Sequence, residues 1–198
     1  GIHLGLGANN TIGGPTAAAR NVISGNVGIG IFVVHSNISP GGNLIQNNYI
    51  GTDVTGTVAV GNTGKGIQIQ DSPGNTVADN VISGNLQEGV HIVFSVGNVL
   101  RGNRIGTNAA GTAALGNGNS AGVVIGTPGN TTVGGTTAAD RNIISGNIYG
   151  VLLTGDVTNT LIQGNYIGTD VTGTFALGND HGVQLETAAS GNLIGGTA

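Results

Sequence analysis

The stretch NYIGTDVTGT occurs at 48–57 and again, unchanged, at 165–174, with a relative, NRIGTNAAGT, between them at 103–112. Asp53 and Asp170, each followed by Thr and Gly, could form calcium loops. The middle copy carries Asn108 at the same place, and the GGxGxDxUx calcium pattern is absent. The expected role of Asp53, Asn108 and Asp170 is therefore local, with each side chain closing its own turn through backbone N–H groups. Asp79, Arg101 and Arg104 form the densest remaining polar group and are the surface-site candidates. Asp79 is expected close to Arg101, which suits a surface ion pair as well as a reactive group. The four histidines, His3, His35, His91 and His181, show no metal-ligand spacing. Lys65, in NTGKGI, lacks the upstream glycine and the following Ser/Thr of a phosphate-binding loop. No catalytic residue, metal ligand or cofactor is assigned.

Composition narrows the classes. Only 7% of the 198 residues are charged and the net charge is −4. No basic patch exists to neutralise phosphates, so nucleic acid is not an expected partner. No run of apolar residues is long enough to span a membrane. The chain has no Cys and no Met, and it shows no secretory leader, so it reads as a processed or excised piece. Forty glycines exclude neither order nor disorder alone. Collagen's three-residue period is missing, and the aliphatics are too many and too regular for a disordered segment.

That regularity supplies the elements that would position any chemistry. A pattern of Gly, aliphatic, any residue, aliphatic begins at Gly1, Gly30, Gly66, Gly89, Gly122, Gly150 and Gly182, with spacings of 23 to 36 residues. Between successive copies come paired Asn-x-Ile/Val patterns, such as NLI and NYI at Asn43 and Asn48. Each pattern alternates as a strand does, and turn residues separate them. Three short strands per repeat predict an all-β, three-sided, right-handed parallel β-helix of about seven coils, a single domain over residues 1–198.

The repeats align into columns. The third strand points Ile23, Ile50, Ile82, Ile105, Ile144 and Ile167 inward, which predicts a core ladder. Asn21, Asn48, Asn80, Asn103, Asn142 and Asn165 precede that strand and predict a stacked amide ladder. A second Asn column follows the strand at Asn26, Asn62, Asn85, Asn117, Asn147 and Asn179. Before the second strand the column is imperfect: Asn130 and Asn159 lie one residue early, leaving Thr131 and Thr160 in register. A bulge or a Thr substitution would explain this. On the outer faces alternation places His3, Phe32, Gln68, His91, Val124, Leu152 and Gln184 along the first strand. It places Val22, Tyr49, Val81, Arg104, Ile143 and Tyr166 along the third. Neither column offers the paired carboxylates of glycoside hydrolysis. A longer period overlies the coils. Odd coils carry GGPTAAARN or GGTTAADRN, even coils carry the IGTD or IGTN loops, and the third coil lacks its loop. The unit is a coil pair of about sixty residues. The two IGTD loops are then two coils or more apart and cannot share one ion.

The motifs N-x-I-S-G-N, N-x-I-G-T-D-x-T-G-T-x-A-L-G-N and G-[IV]-x-[IL] resemble the parallel β-helix repeats of bacterial secreted and surface proteins, related in fold to pectate lyases. The resemblance covers the whole chain. It implies the fold and an extracellular or cell-surface setting. For function it is broad, because that family includes lyases, epimerases, adhesins and passive stalks. The expected function is a non-enzymatic structural spacer or adhesin-like module. The alternative is a carbohydrate-active enzyme or polysaccharide-binding module. The final NLIGGTA matches NTIGGPTA near the start, so the chain reads as part of a longer array, or as a unit whose copies stack end to end into filaments.

Overall fold

The computed structural model describes residues 1–35, 41–118, 120–186 and 188–196. It is a right-handed, three-sided parallel β-helix. The first sheet stacks Ile2–Gly5, Ile31–Val34, Ile67–Gln70, Val90–Val93, Ala121–Gly126, Tyr149–Thr154 and His181–Leu185. The second stacks Thr11–Gly13, Leu44–Gln46, Thr76–Ala78, Val99–Arg101, Thr132–Gly134, Leu161–Gln163 and Leu193–Ile194. The third runs from Val22–Ile23 through Tyr49–Ile50, Val81–Ile82, Arg104–Ile105 and Ile143–Ile144 to Tyr166–Ile167. Two single 3-10 turns, Ala17–Ala19 and Ala138–Asp140, lie in the longer corner loops.

Alternation dictates this register. Ile50 pairs with Ile82, Ile82 with Ile105, and Ile105 with Ile144, so one residue type fills one column. A slip of one residue would turn every such side chain to the outside. Ile45, Ile50, Ile69, Ile82, Ile105 and Ile144 are wholly buried in a single shaft of aliphatics. Ile167 is only half-buried, and Ile194 is exposed. Two side chains that alternation places on the outer face of the third sheet are nevertheless buried, Val81 at 3% and Ile143 at 5% exposed. The corner loops fold back over this sheet. Gly56 and Gly173 pack so closely on the rings of Tyr49 and Tyr166 that a Cβ at either would meet the ring.

Three files of asparagine run along the shaft. In each, the backbone N–H and Nδ2 of one coil donate to Oδ1 of the next. Asn80 donates to Asn103 Oδ1 from its backbone N–H (3.0 Å) and from Nδ2 (3.1 Å), and Nδ2 also reaches Ile45 O and Ala78 O, each at 2.9 Å. Asn103 repeats the pattern onto Asn142 and Val77 O. These amides are buried, so an unfilled site among them would be costly, and each uses both its donor and its acceptor capacity.

The file before the second strand settles its own irregularity. Asn130 and Asn159 stand in the left-handed region, with φ of 52° and 53°, where neighbouring coils place Gly74, Gly97 and Gly191. They are corner residues doing glycine's work, and Thr131 and Thr160 occupy the ladder without a bulge. The exchange has a cost, because both threonine hydroxyls are buried with no hydrogen-bond partner. Thr131→Val and Thr160→Val should each raise the unfolding free energy by about 1 kcal/mol, by removing a desolvated hydroxyl that bonds nothing. Denaturant midpoints would show the gain.

The two-coil period has a physical origin. Ser24, Ser83 and Ser145, from the odd coils, donate their hydroxyls to Thr52 O, Thr107 O and Thr169 O of the next coil. The serine hydroxyl oxygens in turn accept the N–H groups of Gly51, Gly106 and Gly168. Each ISGN therefore clamps the start of the IGTD or IGTN loop one coil later. At Gly106, φ is 83° and a Cβ would collide with the Ser145 carbonyl, so only glycine fits.

Candidate functional site

The repeated loops keep their polar groups to themselves. Asp53 Oδ1 accepts from the N–H groups of Thr57 and Val58, both at 3.0 Å, and Thr55 Oγ1 donates to Oδ2 at 2.7 Å. Asn108 Oδ1 accepts from Thr112 and Ala113 N–H in the same way, and Asp170 Oδ1 from Thr174 and Phe175 N–H. The Thr55 hydroxyl and the Val58 amide hold the Asp53 carboxyl down at about 2. At Asp170 burial opposes ionisation, but Thr172 and the two amides outweigh it and the carboxyl also lies below its usual range. A carboxyl lowered on folding stabilises the fold fully above its ordinary value, and the contribution disappears as pH falls through the folded value. The Thr57 and Val58 amide resonances should accordingly titrate with a midpoint near pH 2. In Asp53→Asn that titration should vanish while the loop stays closed, as Asn108 already shows is sterically possible.

The corner leading into the third sheet holds the remaining charge. In the first coil pair the Arg20 guanidinium lies 4.0 Å from the centre of the Tyr49 ring and donates to Asn47 O and Oδ1. In the last, Arg141 lies 4.1 Å over Tyr166 and donates from Nε to Gly164 O. Between them the same two positions are Asp79 and Arg104, and no ring is present. Here the third coil lacks the loop that carries a 3-10 turn in the first and fifth. The gap is a cleft of about 310 Å³. Asp79, Gly102, Arg104 and Arg141 line it, with the Ala138–Ala139 turn and Val171 at its margins.

The expected pairing of Asp79 with Arg101 is not formed. Among the described residues the ion pair is Lys65 Nζ to Glu88 Oε2, at 3.7 Å. Asp79 is in a left-handed turn (φ 59°), and its Oδ2 accepts from Gln46 Nε2 of the preceding coil at 3.1 Å. Only its backbone meets Arg101, through Asp79 N–H to Arg101 O at 3.0 Å. Arg101 is not part of the cleft, whereas Asp79 and Arg104 are, joined by Arg141. Arg141 was legible as the equivalent of Arg20 in the repeat, but its approach to Arg104 depends on the missing loop.

A second polar group, without a local motif in the sequence, is formed by stacking. Lys65 and Glu88 both immediately precede a strand-opening glycine, Gly66 and Gly89, so stacking sets them side by side. His91 lies in the same patch. Burial lowers its pKa, Lys65 adds to the effect and Glu88 opposes it, and Nδ1 has no partner. The other histidines are separate. His3 stacks on Phe32, His181 on Tyr149, and His35 Nε2 lies 2.7 Å from Gly7 O.

Residues 42–125, under half of the chain, match a family described as periplasmic copper-binding protein (NosD). No curated protein matches. Among solved structures, the A-module of an Azotobacter vinelandii mannuronan C-5 epimerase is similar at 18% identity, with a TM-score of 0.47, over 90% of this chain and 51% of that one. A DFA-IIIase from Arthrobacter chlorophenolicus A6 is similar at 15% identity, with a TM-score of 0.43, over 89% of this chain and 47% of that one. The chain thus spans about half the length of each of these structures.

Proposed function

We propose that this chain is a non-enzymatic β-helical module, working outside the cytoplasm as a structural spacer that presents its corners at fixed intervals. One observation carries the reading. The residues that recur most faithfully, the ladder asparagines, the clamp serines and Asp53, Asn108 and Asp170, all spend their hydrogen bonds inside the coil stack. Their recurrence is thereby accounted for by architecture. Copper, named for the family matched over 42–125, does not fit the donors present. Cys and Met are absent, and no three His, Asp or Glu side chains converge among the described residues.

The alternative on the same fold is a carbohydrate-active or polysaccharide-binding module acting at the Asp79–Arg104–Arg141 cleft. The two are separated by incubating the protein with a panel of neutral and acidic polysaccharides and following both retention on the polymer and release of unsaturated or shortened products. A spacer leaves every polymer unchanged. Turnover that disappears in Asp79→Ala or Arg104→Ala would overturn the structural reading.

A further inference from the structure

We propose that the cleft between Asp79, Arg104 and Arg141 binds a small tetrahedral oxyanion that carries a hydroxyl, of which protonated phosphate is the simplest example. The proposal does not rest on the spacer reading, which concerns the repeated motif and not this gap.

The coil-pair repeat supplies an internal comparison. In the outer pairs the guanidinium is taken up by the protein, Arg20 by Tyr49 and Asn47 and Arg141 by Tyr166 and Gly164. In the middle pair an arginine replaces the tyrosine, and Arg104 Nε is buried with no acceptor among the described residues. Nε lies against Gly111 of the covering loop, so the part of Arg104 that an anion in the cleft would engage is its terminal nitrogens, which also find no acceptor among the described residues. A cationic group so short of partners is unfavourable for a scaffold. Arg141 binds Gly164 O through Nε alone, which leaves its terminal nitrogens free of acceptors among the described residues. The two guanidiniums come from successive coils, since Arg104 pairs with Ile143, two residues after Arg141. Donors arriving from two levels suit an anion whose oxygens diverge.

Asp79 explains why the anion should carry a proton. Its carboxylate lines the same cleft, and Gln46 occupies only Oδ2. A bare dianion would be repelled by it, whereas a hydroxyl on the ligand can donate to it. Gly102 makes room for that carboxylate, because a Cβ there would collide with Asp79 Oδ1. The volume, about 310 Å³, stands at the lower limit for ligand pockets and favours a small ligand.

The test follows arginine Nε–H resonances of the whole chain by NMR, near neutral pH and at constant ionic strength, during titration with inorganic phosphate and separately with sulfate. Phosphate should give a saturable shift at Arg104 with none at Arg20. Sulfate, which has no hydroxyl, should bind more weakly by about tenfold. Asp79→Asn should remove that preference by strengthening sulfate binding. Arg104→Gln should abolish saturation, with Arg20→Gln as the matched control that leaves it intact and far-UV circular dichroism reporting the fold of each variant. Parallel, unsaturable shifts at Arg20 and Arg104, or phosphate binding undiminished in Arg104→Gln, would overturn the site. Equal affinity for phosphate and sulfate in the unaltered protein would overturn the role of Asp79.

Discussion

Asn103→Ala should lower the unfolding free energy by about 3–5 kcal/mol, far more than the same change at a surface amide. Asn103 Oδ1 accepts both the backbone N–H and Nδ2 of Asn80, and its own Nδ2 donates to Val77 O and Asn142 Oδ1. Truncation leaves the Asn80 N–H buried without an acceptor and opens a void where no water can readily enter. Asn21→Ala is the comparison. Asn21 is exposed and its side chain donates only to Asn48 Oδ1, so its loss should cost about 1 kcal/mol. Urea denaturation of both variants checks the ratio. Equal losses would mean that the amide file is incidental to stability.

Ile105→Asp should prevent folding altogether. Ile105 is wholly buried between Ile82 and Ile144, and a carboxylate there has neither a counter-ion nor a hydrogen-bond donor. The graded series is as informative as the extreme. Ile105→Val should cost about 1 kcal/mol and Ile105→Ala about 3–4 kcal/mol, the latter through the cavity it leaves. The core is built from contacts between successive coils, and only loop bonds such as Ala109 N–H to Gly56 O and Val171 N–H to Gly111 O reach across a coil. A break in the middle therefore also weakens the coupling of the two halves. Ile105→Ala should therefore broaden the thermal transition as well as lower it. A sharp transition at the original temperature would contradict the coil-stack account of stability.

The register was readable because a glycine opens the aliphatic pattern of each coil's first strand and an asparagine precedes the other strands, except where Thr131 and Thr160 take its place. Hydrophobic alternation then leaves one choice for every inward residue, from Ile2 to Val183. What could not be read depends on which loops are present in adjacent coils. Val81 and Ile143 alternate outward and are still buried, because loops from neighbouring coils cover them. Asp79 points to Gln46 and away from Arg101 because a left-handed corner turns it. Asn47, Gly102 and Gly164 stand in the same region directly before a ladder asparagine, so the column marks the corner but not the partner its side chain takes. Lys65 and Glu88 were within reach of the same column logic, since each stands directly before a glycine of the first column. The local motif around Lys65 resembles a phosphate loop more than it signals a partner one coil on, so the pair shows only when the glycine column is stacked. At the Thr131 and Thr160 positions the sequence posed the right alternatives, and the choice needed φ at Asn130 and Asn159.

The bonds from one asparagine to the next all run the same way in the three files, from one coil to the following one, and the parallel strands share that sense. The shaft is therefore a polar object, with head and tail chemically distinct at every level. A winding inverted relative to its neighbours would set oxygen against oxygen in all three files together. Tandem duplication of the unit preserves the handshake, and reversal destroys it, so lengthening of such a rod during evolution is confined to direct repeats.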